Sequence, residues 1–178
     1  MKQQKFQLVV AQSNIDWVGR KVTGAHNGTI ALKDGTLLLQ NGQLSGGAFT
    51  IDTTSIKILD ITDPAANTQF AGHLASDDFF GIEQYPEAYF ELTSVEGNHV
   101  EGNLTMKGIT NTVRFETQLQ LNEDSLTATA TIIVDRTLFG IRFRSGNFFK
   151  DLGDTLIYND FELKVTLTAQ LAEEVILA

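Results

Sequence analysis

Val113-Arg114-Phe115-Glu116-Thr117-Gln118-Leu119-Gln120-Leu121-Asn122-Glu123-Asp124-Ser125-Leu126-Thr127-Ala128-Thr129-Ala130-Thr131-Ile132-Ile133-Val134 is the stretch that decides the fold. Val113, Phe115, Thr117, Leu119 and Leu121 fall on one parity and charged or amide residues on the other. Asn122 to Ser125 is polar and turn-forming. The alternation then resumes, with Leu126, Ala128, Ala130, Ile132 and Val134 opposite Thr127, Thr129 and Thr131. A period of two is the geometry of a strand, whose side chains face opposite sides in turn. The stretch reads as two strands of a hairpin sharing one apolar face.

The same rhythm extends outward. Tyr89 to Val95 turns at Gly97-Asn98 into Val100 to Met106, and Gly108 breaks the next connection. Downstream, Phe161, Leu163, Val165, Leu167 and Ala169 oppose Glu162, Lys164 and Thr166. In the first half, Ile15, Trp17 and Gly19 alternate with Asp16, Val18 and Arg20. Ile30 and Leu32 follow a turn expected at Gly28, and Lys33-Asp34-Gly35 is expected to close that strand. Leu37 to Gln40 ends at Asn41-Gly42, a hairpin signal because both residues tolerate positive φ. Gly46-Gly47 then opens Ala48 to Ile58. The sum is an all-β chain of about eight antiparallel strands, the number at which a barrel fills its core or holds one small ligand. One segment differs. Asp63-Pro64 has the form of a helix N-cap with proline in the first turn, and Ala66, Phe70 and Leu74 recur at helical spacing. A short helical segment near residues 64–80 is expected to cover one end of the barrel.

At 178 residues, 42% of them hydrophobic and only two of them proline, residues 1–178 read as one domain. Twelve phenylalanines supply much ring surface to bury. The net charge of −9, with basic residues scattered apart from short groups such as Arg20-Lys21 and Arg142/Arg144, excludes a nucleic-acid footprint. The chain lacks cysteine, which removes disulfides, thiolate metal sites and cysteine nucleophiles. Leu8 to Ala11 is too short for a secretory core, and no run approaches the roughly 20 apolar residues of a membrane helix. A cytoplasmic protein without an integral membrane segment is expected.

No catalytic signature is present: no Gly-x-Ser-x-Gly, no phosphate-binding glycine loop and no His-Glu-x-x-His. His26, His73 and His99 are far apart in sequence. Asp135 and Arg136 are adjacent, and adjacent strand residues point to opposite faces, so each is expected to find its own structural partner near a barrel rim. No catalytic and no metal residues are assigned.

Four stretches carry a family resemblance. They are Trp17-Val18-Gly19-Arg20-Lys21-Val22-Thr23-Gly24-Ala25-His26-Asn27-Gly28-Thr29-Ile30, the segment from His73 to Pro86, Leu104-Thr105-Met106-Lys107-Gly108-Ile109-Thr110, and Asp135-Arg136-Thr137-Leu138-Phe139-Gly140-Ile141. In this order the chain resembles the YceI-like family, and within it the branch with a Trp-x-Gly-x-Lys-Val-Thr-Gly opening. The resemblance implies a lipocalin-like barrel, binding of a polyisoprenoid or quinone-like lipid, a role in transport, and no catalysis. Interior positions for a long-chain apolar ligand would be Trp17, Phe49, Ile51, Phe90, Leu92, Leu104, Met106, Phe115, Leu119, Ile132, Phe143, Leu163, Val165 and Leu167. Phe79 and Phe80 would either anchor the helix or form the mouth. Parity does not separate a cavity wall from a solid core. A filled barrel serving as a protein-interaction module, an enzyme acting on an apolar substrate, and a homodimer packed through outward apolar positions therefore stand beside the carrier.

Overall fold

A computed structural model describes residues 1–176. The alternation becomes strands β1 (Lys2–Leu8), β2 (Asn14–Lys21), β3 (Gly24–Gln40), β4 (Gln43–Ile58), β5 (Glu87–Glu96), β6 (His99–Met106), β7 (Ile109–Asn122), β8 (Ser125–Asp135) and β9 (Ile157–Ile176). Every paired neighbour is antiparallel.

These segments make a closed barrel of eight staves, because β1 and β2 share one place in it. Both lie between β3 and β9. Phe6 of β1 faces Leu37 and Leu171, whereas Trp17 of β2 faces Gly28 and Leu163. A 3-10 turn at Val10–Gln12 divides them. Ser13 stitches the break to β9: its hydroxyl donates to the Val9 carbonyl at 2.9 Å and accepts the Thr168 N–H at 3.1 Å. From β2 the ring runs through β9, β8, β7, β6, β5, β4 and β3, and returns to β2.

The second half matches its reading closely, and so does the hairpin at Asn41-Gly42, where φ is 52° and 78°. Two turns expected in the first half are absent. Gly28 lies inside β3, opposite Trp17. Lys33-Asp34-Gly35 does not end a strand either. β3 runs unbroken from Gly24 to Gln40, and its register with β4 shifts between Leu32 and Asp34. Asp34 satisfies this bulge locally, its carboxylate accepting the Gly35 N–H and the Gln7 amide, each at 2.8 Å. Gly46-Gly47 is likewise internal to β4.

Helix α1 (Pro64–Ala75) starts where the sequence places it. The Asp63 carboxylate accepts the Ala66 N–H at 3.0 Å, and Pro64 occupies the first turn. Past Ala75 the chain turns back on itself, with the Phe80 N–H bonded to the Leu74 carbonyl and the Ile82 N–H to Ala75. This places Leu74 and Phe79 in one buried cluster with Leu104, Met106, Phe139 and Ile141, across the end of the barrel where β4 leaves and β5 enters. The opposite end is solid: Phe6, Leu37, Leu39, Leu126 and Ala169 pack there with Leu44, Leu119 and Leu171.

Candidate functional site

Between the solid end and α1 the barrel holds a cavity of about 420 Å³, within the roughly 300–1,000 Å³ of small-molecule sites. Its floor is Leu37, Leu44 and Leu167, and its wall is the inward parity of the strands. At the mouth stand Phe70, His73 and Leu74 of α1, with Phe79, Phe80, Ile141 and Phe143. Of the inward positions expected from the sequence, Trp17, Phe49, Ile51, Phe90, Leu92, Leu104, Met106, Phe115, Ile132, Phe143, Leu163, Val165 and Leu167 all line this cavity, and Phe79 and Phe80 stand at its mouth. Leu119 does not. It has the right parity but the wrong height, and packs into the solid end. Phe70, Phe161, Ile15, Ile56 and Val113 also line the cavity and were not named as site residues. Phe161 shares a face with Leu163 and so could have been found by parity.

Three of the largest rings lie on glycines. Trp17 faces Gly28 across the ladder, and a Cβ added there would sit 2.6 Å from the indole and 1.7 Å from the Lys57 carbonyl oxygen. Phe49 faces Gly35, where a Cβ would come within 2.4 Å of the ring; at Gly102 it would come within 2.3 Å of Phe90. A glycine under an aromatic ring lets the ring recline on the neighbouring backbone instead of projecting inward. Trp17 is fixed further by its indole N–H, which donates to the Thr29 carbonyl at 3.2 Å. Phe90 stands 6.3 Å from Phe49 and 5.8 Å from Phe115, centroid to centroid, so the rings form a continuous panel.

The mouth is polar at its edge. His73 lies edge-on to Phe79 and Phe143, with centroids at 4.9 and 4.7 Å, and its Nε2 meets Asp78 at 3.2 Å. His26 packs on Phe70 at 4.7 Å while its Nδ1 meets Asp60 at 2.7 Å. Arg20, Lys21, Arg136 and Arg144 also line the cavity, together with Asp160.

Asp135 and Arg136 diverge, but not by the strand alternation expected of them: β8 ends at Asp135, and Arg136 opens a 3-10 turn. Asp135 accepts the Thr137 N–H at 2.9 Å and its hydroxyl at 2.6 Å, capping the 3-10 turn Arg136–Phe139. Arg136 is 4% exposed and donates to the carbonyls of Ile141 (2.9 Å), Ile157 (3.1 Å) and Tyr158 (3.1 Å). Burial pushes its guanidinium below the ordinary arginine value, opposed by the charge of Asp135; an arginine remains charged throughout. Among the described residues, no three of His, Asp and Glu lie close enough to hold a metal ion, and no buried side-chain nitrogen or oxygen lacks a partner. No helix among them is long and apolar enough to cross a membrane.

Comparison with known proteins places this architecture. Residues 6–169 match the YceI-like domain. A UPF0312 protein of Staphylococcus aureus (strain N315) is 31% identical over 108 residues, which is 57% of this chain and 61% of that protein. The chain thus spans about six tenths of the length of the curated relatives it matches. Among solved structures, Burkholderia cenocepacia BcnA superposes with a TM-score of 0.68 at 22% identity, over 92% of this chain and 99% of that one. A polyisoprenoid binding domain from Saccharophagus degradans, implicated in plant cell wall breakdown, gives 0.69 at 13% identity, over 94% and 98%. A Campylobacter jejuni YCEI protein gives 0.56 at 17%, over 74% and 75%. At such identities the superpositions speak for the fold, and the match over residues 6–169 speaks for the family. The chain belongs to the YceI-like domain family.

Proposed function

We propose that this chain binds an isoprenoid or other long-chain lipid inside its barrel and carries it without chemical change. The observation that carries the reading is a cavity whose wall is apolar from Leu37 and Leu167 at the floor to Phe70 and Phe143 at the mouth. Each CH₂ moved from water into such an interior gains about 0.8 kcal/mol, so a long tail is held without directional contacts. Met106 and the ring panel supply surfaces that adapt to an irregular chain. The polyisoprenoid binding named for the Saccharophagus degradans domain supports the ligand class. The hollow interior argues against a filled barrel used only as an interaction module. His26 and His73 each pack a face or edge on phenylalanine, which favours a role in shaping the mouth over one in proton transfer.

Native mass spectrometry of the purified protein, followed by solvent extraction of any adduct, tests this. The expected result is a one-to-one complex with a prenyl or comparable long-chain lipid. Clean apo-protein that also takes up no added quinone, polyprenol or fatty acid would overturn it.

A further inference from the structure

The charged residues that line the cavity have a net sign opposite to that of the whole molecule. The chain carries 22 acidic and 13 basic residues, yet four basic residues, Arg20, Lys21, Arg136 and Arg144, line the cavity beside one acid, Asp160. Three of the four converge on a single residue at the start of β9. Lys21 is the ladder partner of Ile157. The Arg144 carbonyl accepts the Ile157 N–H at 2.9 Å. The Arg136 guanidinium donates to the Ile157 carbonyl at 3.1 Å. Segments separated by more than a hundred residues of chain are thereby brought to one point of the rim.

Their charges are not spent on one another. Arg20 meets Glu162 at 3.5 Å, and Arg136 is committed to backbone carbonyls. Lys21 and Arg144 are exposed, and no carboxylate lies within ion-pair distance of either among the described residues. Arg144 is held over the Phe143 ring at 4.9 Å, which fixes it beside the mouth. Two cations without a carboxylate partner, beside an apolar shaft, are complementary to a tail that ends in negative charge.

We propose that the ligand is an anionic amphiphile: a long apolar tail in the barrel with a phosphate or carboxylate head at Lys21 and Arg144. The inference rests on the lipid-binding reading and adds the head group to it. Trp17, the single tryptophan of the chain, lines the cavity and reports occupancy by its emission.

The test titrates the protein with geranylgeranyl monophosphate, geranylgeraniol, oleic acid and oleyl alcohol, following Trp17 fluorescence. In wild type each anion should bind about tenfold tighter than its alcohol, the scale of two partly exposed charge contacts. The preference should shrink with added NaCl and fall to within about twofold in the double variant Lys21→Met/Arg144→Met. If that variant does not fold, the single variant Lys21→Met and the salt series in wild type carry the same reading. The larger of the two anion-over-alcohol preferences, each taken against the alcohol of the same tail, identifies the head as phosphate or carboxylate. Alcohols binding as tightly as anions in wild type would overturn the proposal and leave lipid binding standing. So would a preference that survives both salt and substitution. Failure of all four ligands to bind would count against lipid binding itself.

Discussion

The two ends of the barrel are built from the same strands with the same alternation, yet one is filled and the other hollow. At the solid end Phe6, Leu126 and Ala169 are fully buried and Leu39 is 1% exposed. Toward the mouth, Trp17, Phe90, Ile132 and Leu163 point inward but remain only half-buried. Size does not explain this, since the hollow end holds the larger rings. Placement does. Gly28, Gly35 and Gly102 let Trp17, Phe49 and Phe90 lie back on the wall, whereas Phe6 on β1 fills the centre between Leu37, Leu126 and Ala169. A cavity can thus be made by giving bulky side chains somewhere to recline, without choosing small ones.

The largest effect that would break this comparison is a paired truncation. Leu126→Ala at the solid end should cost about 2–5 kcal/mol, because close-packed neighbours cannot collapse into the gap. Leu163→Ala on the cavity wall should cost clearly less, because the lost methyls already face open space. Urea denaturation of both variants checks this, and equal costs would mean that the two ends are packed alike. Next in size, Gly102→Ala should cost about 1–3 kcal/mol by overpacking against Phe90. It should also drive that ring into the cavity, so that shorter tails are preferred over longer ones in a chain-length series. A stability loss with no change in that preference would show that Phe90 does not bound the ligand.

Smaller effects sharpen the contrast at the mouth. Asp63→Ala removes the cap of α1 and should cost about 1 kcal/mol, read as a lowered melting temperature. The smallest concerns acid. Burial raises the Asp60 carboxyl, but the Asn27 N–H at 3.0 Å and His26 at 2.7 Å outweigh it and hold the group below its ordinary value. A carboxyl depressed in the folded state stabilises above the ordinary carboxylate range, and that contribution is lost as pH falls through the depressed value. The urea midpoint should therefore drop on acidification less in Asp60→Asn than in wild type. An unchanged drop would place the acid sensitivity elsewhere.

The strands were legible where one face of the ladder is apolar and the other wet, as in β7 and β8, and where a turn needs unusual φ, as at Asn41-Gly42. The closed barrel and α1 follow from such local signals. Reading failed at glycines. Gly28 and Asp34-Gly35 look like turns by composition, but these glycines serve rings on the next strand, a demand that exists only once the strands are paired. Leu119 failed for a related reason: parity gives the face of a residue and not its height along the barrel. The cations at the mouth had a faint trace in the groups Arg20-Lys21 and Arg142/Arg144. Nothing in the linear order brings Lys21 to Arg144, because β9 makes that junction.

The same junction governs how the chain can acquire its structure. The stave formed by β1 and β2 has β3 on one side and β9 on the other, so residues as far apart as Lys2 and Ile176 must meet before the ring closes. During synthesis β2 can pair with β3 early, through a short turn, while its other edge stays open until Ile157–Ile176 has emerged. Pairings of such sequence separation place barrels among the slow folders, on a scale of roughly milliseconds to seconds. The pairing of β2 with β9 that closes the ring is also the one that brings Lys21 to Ile157, where Arg136 and Arg144 are bonded, so closing the barrel and completing the mouth are one structural event.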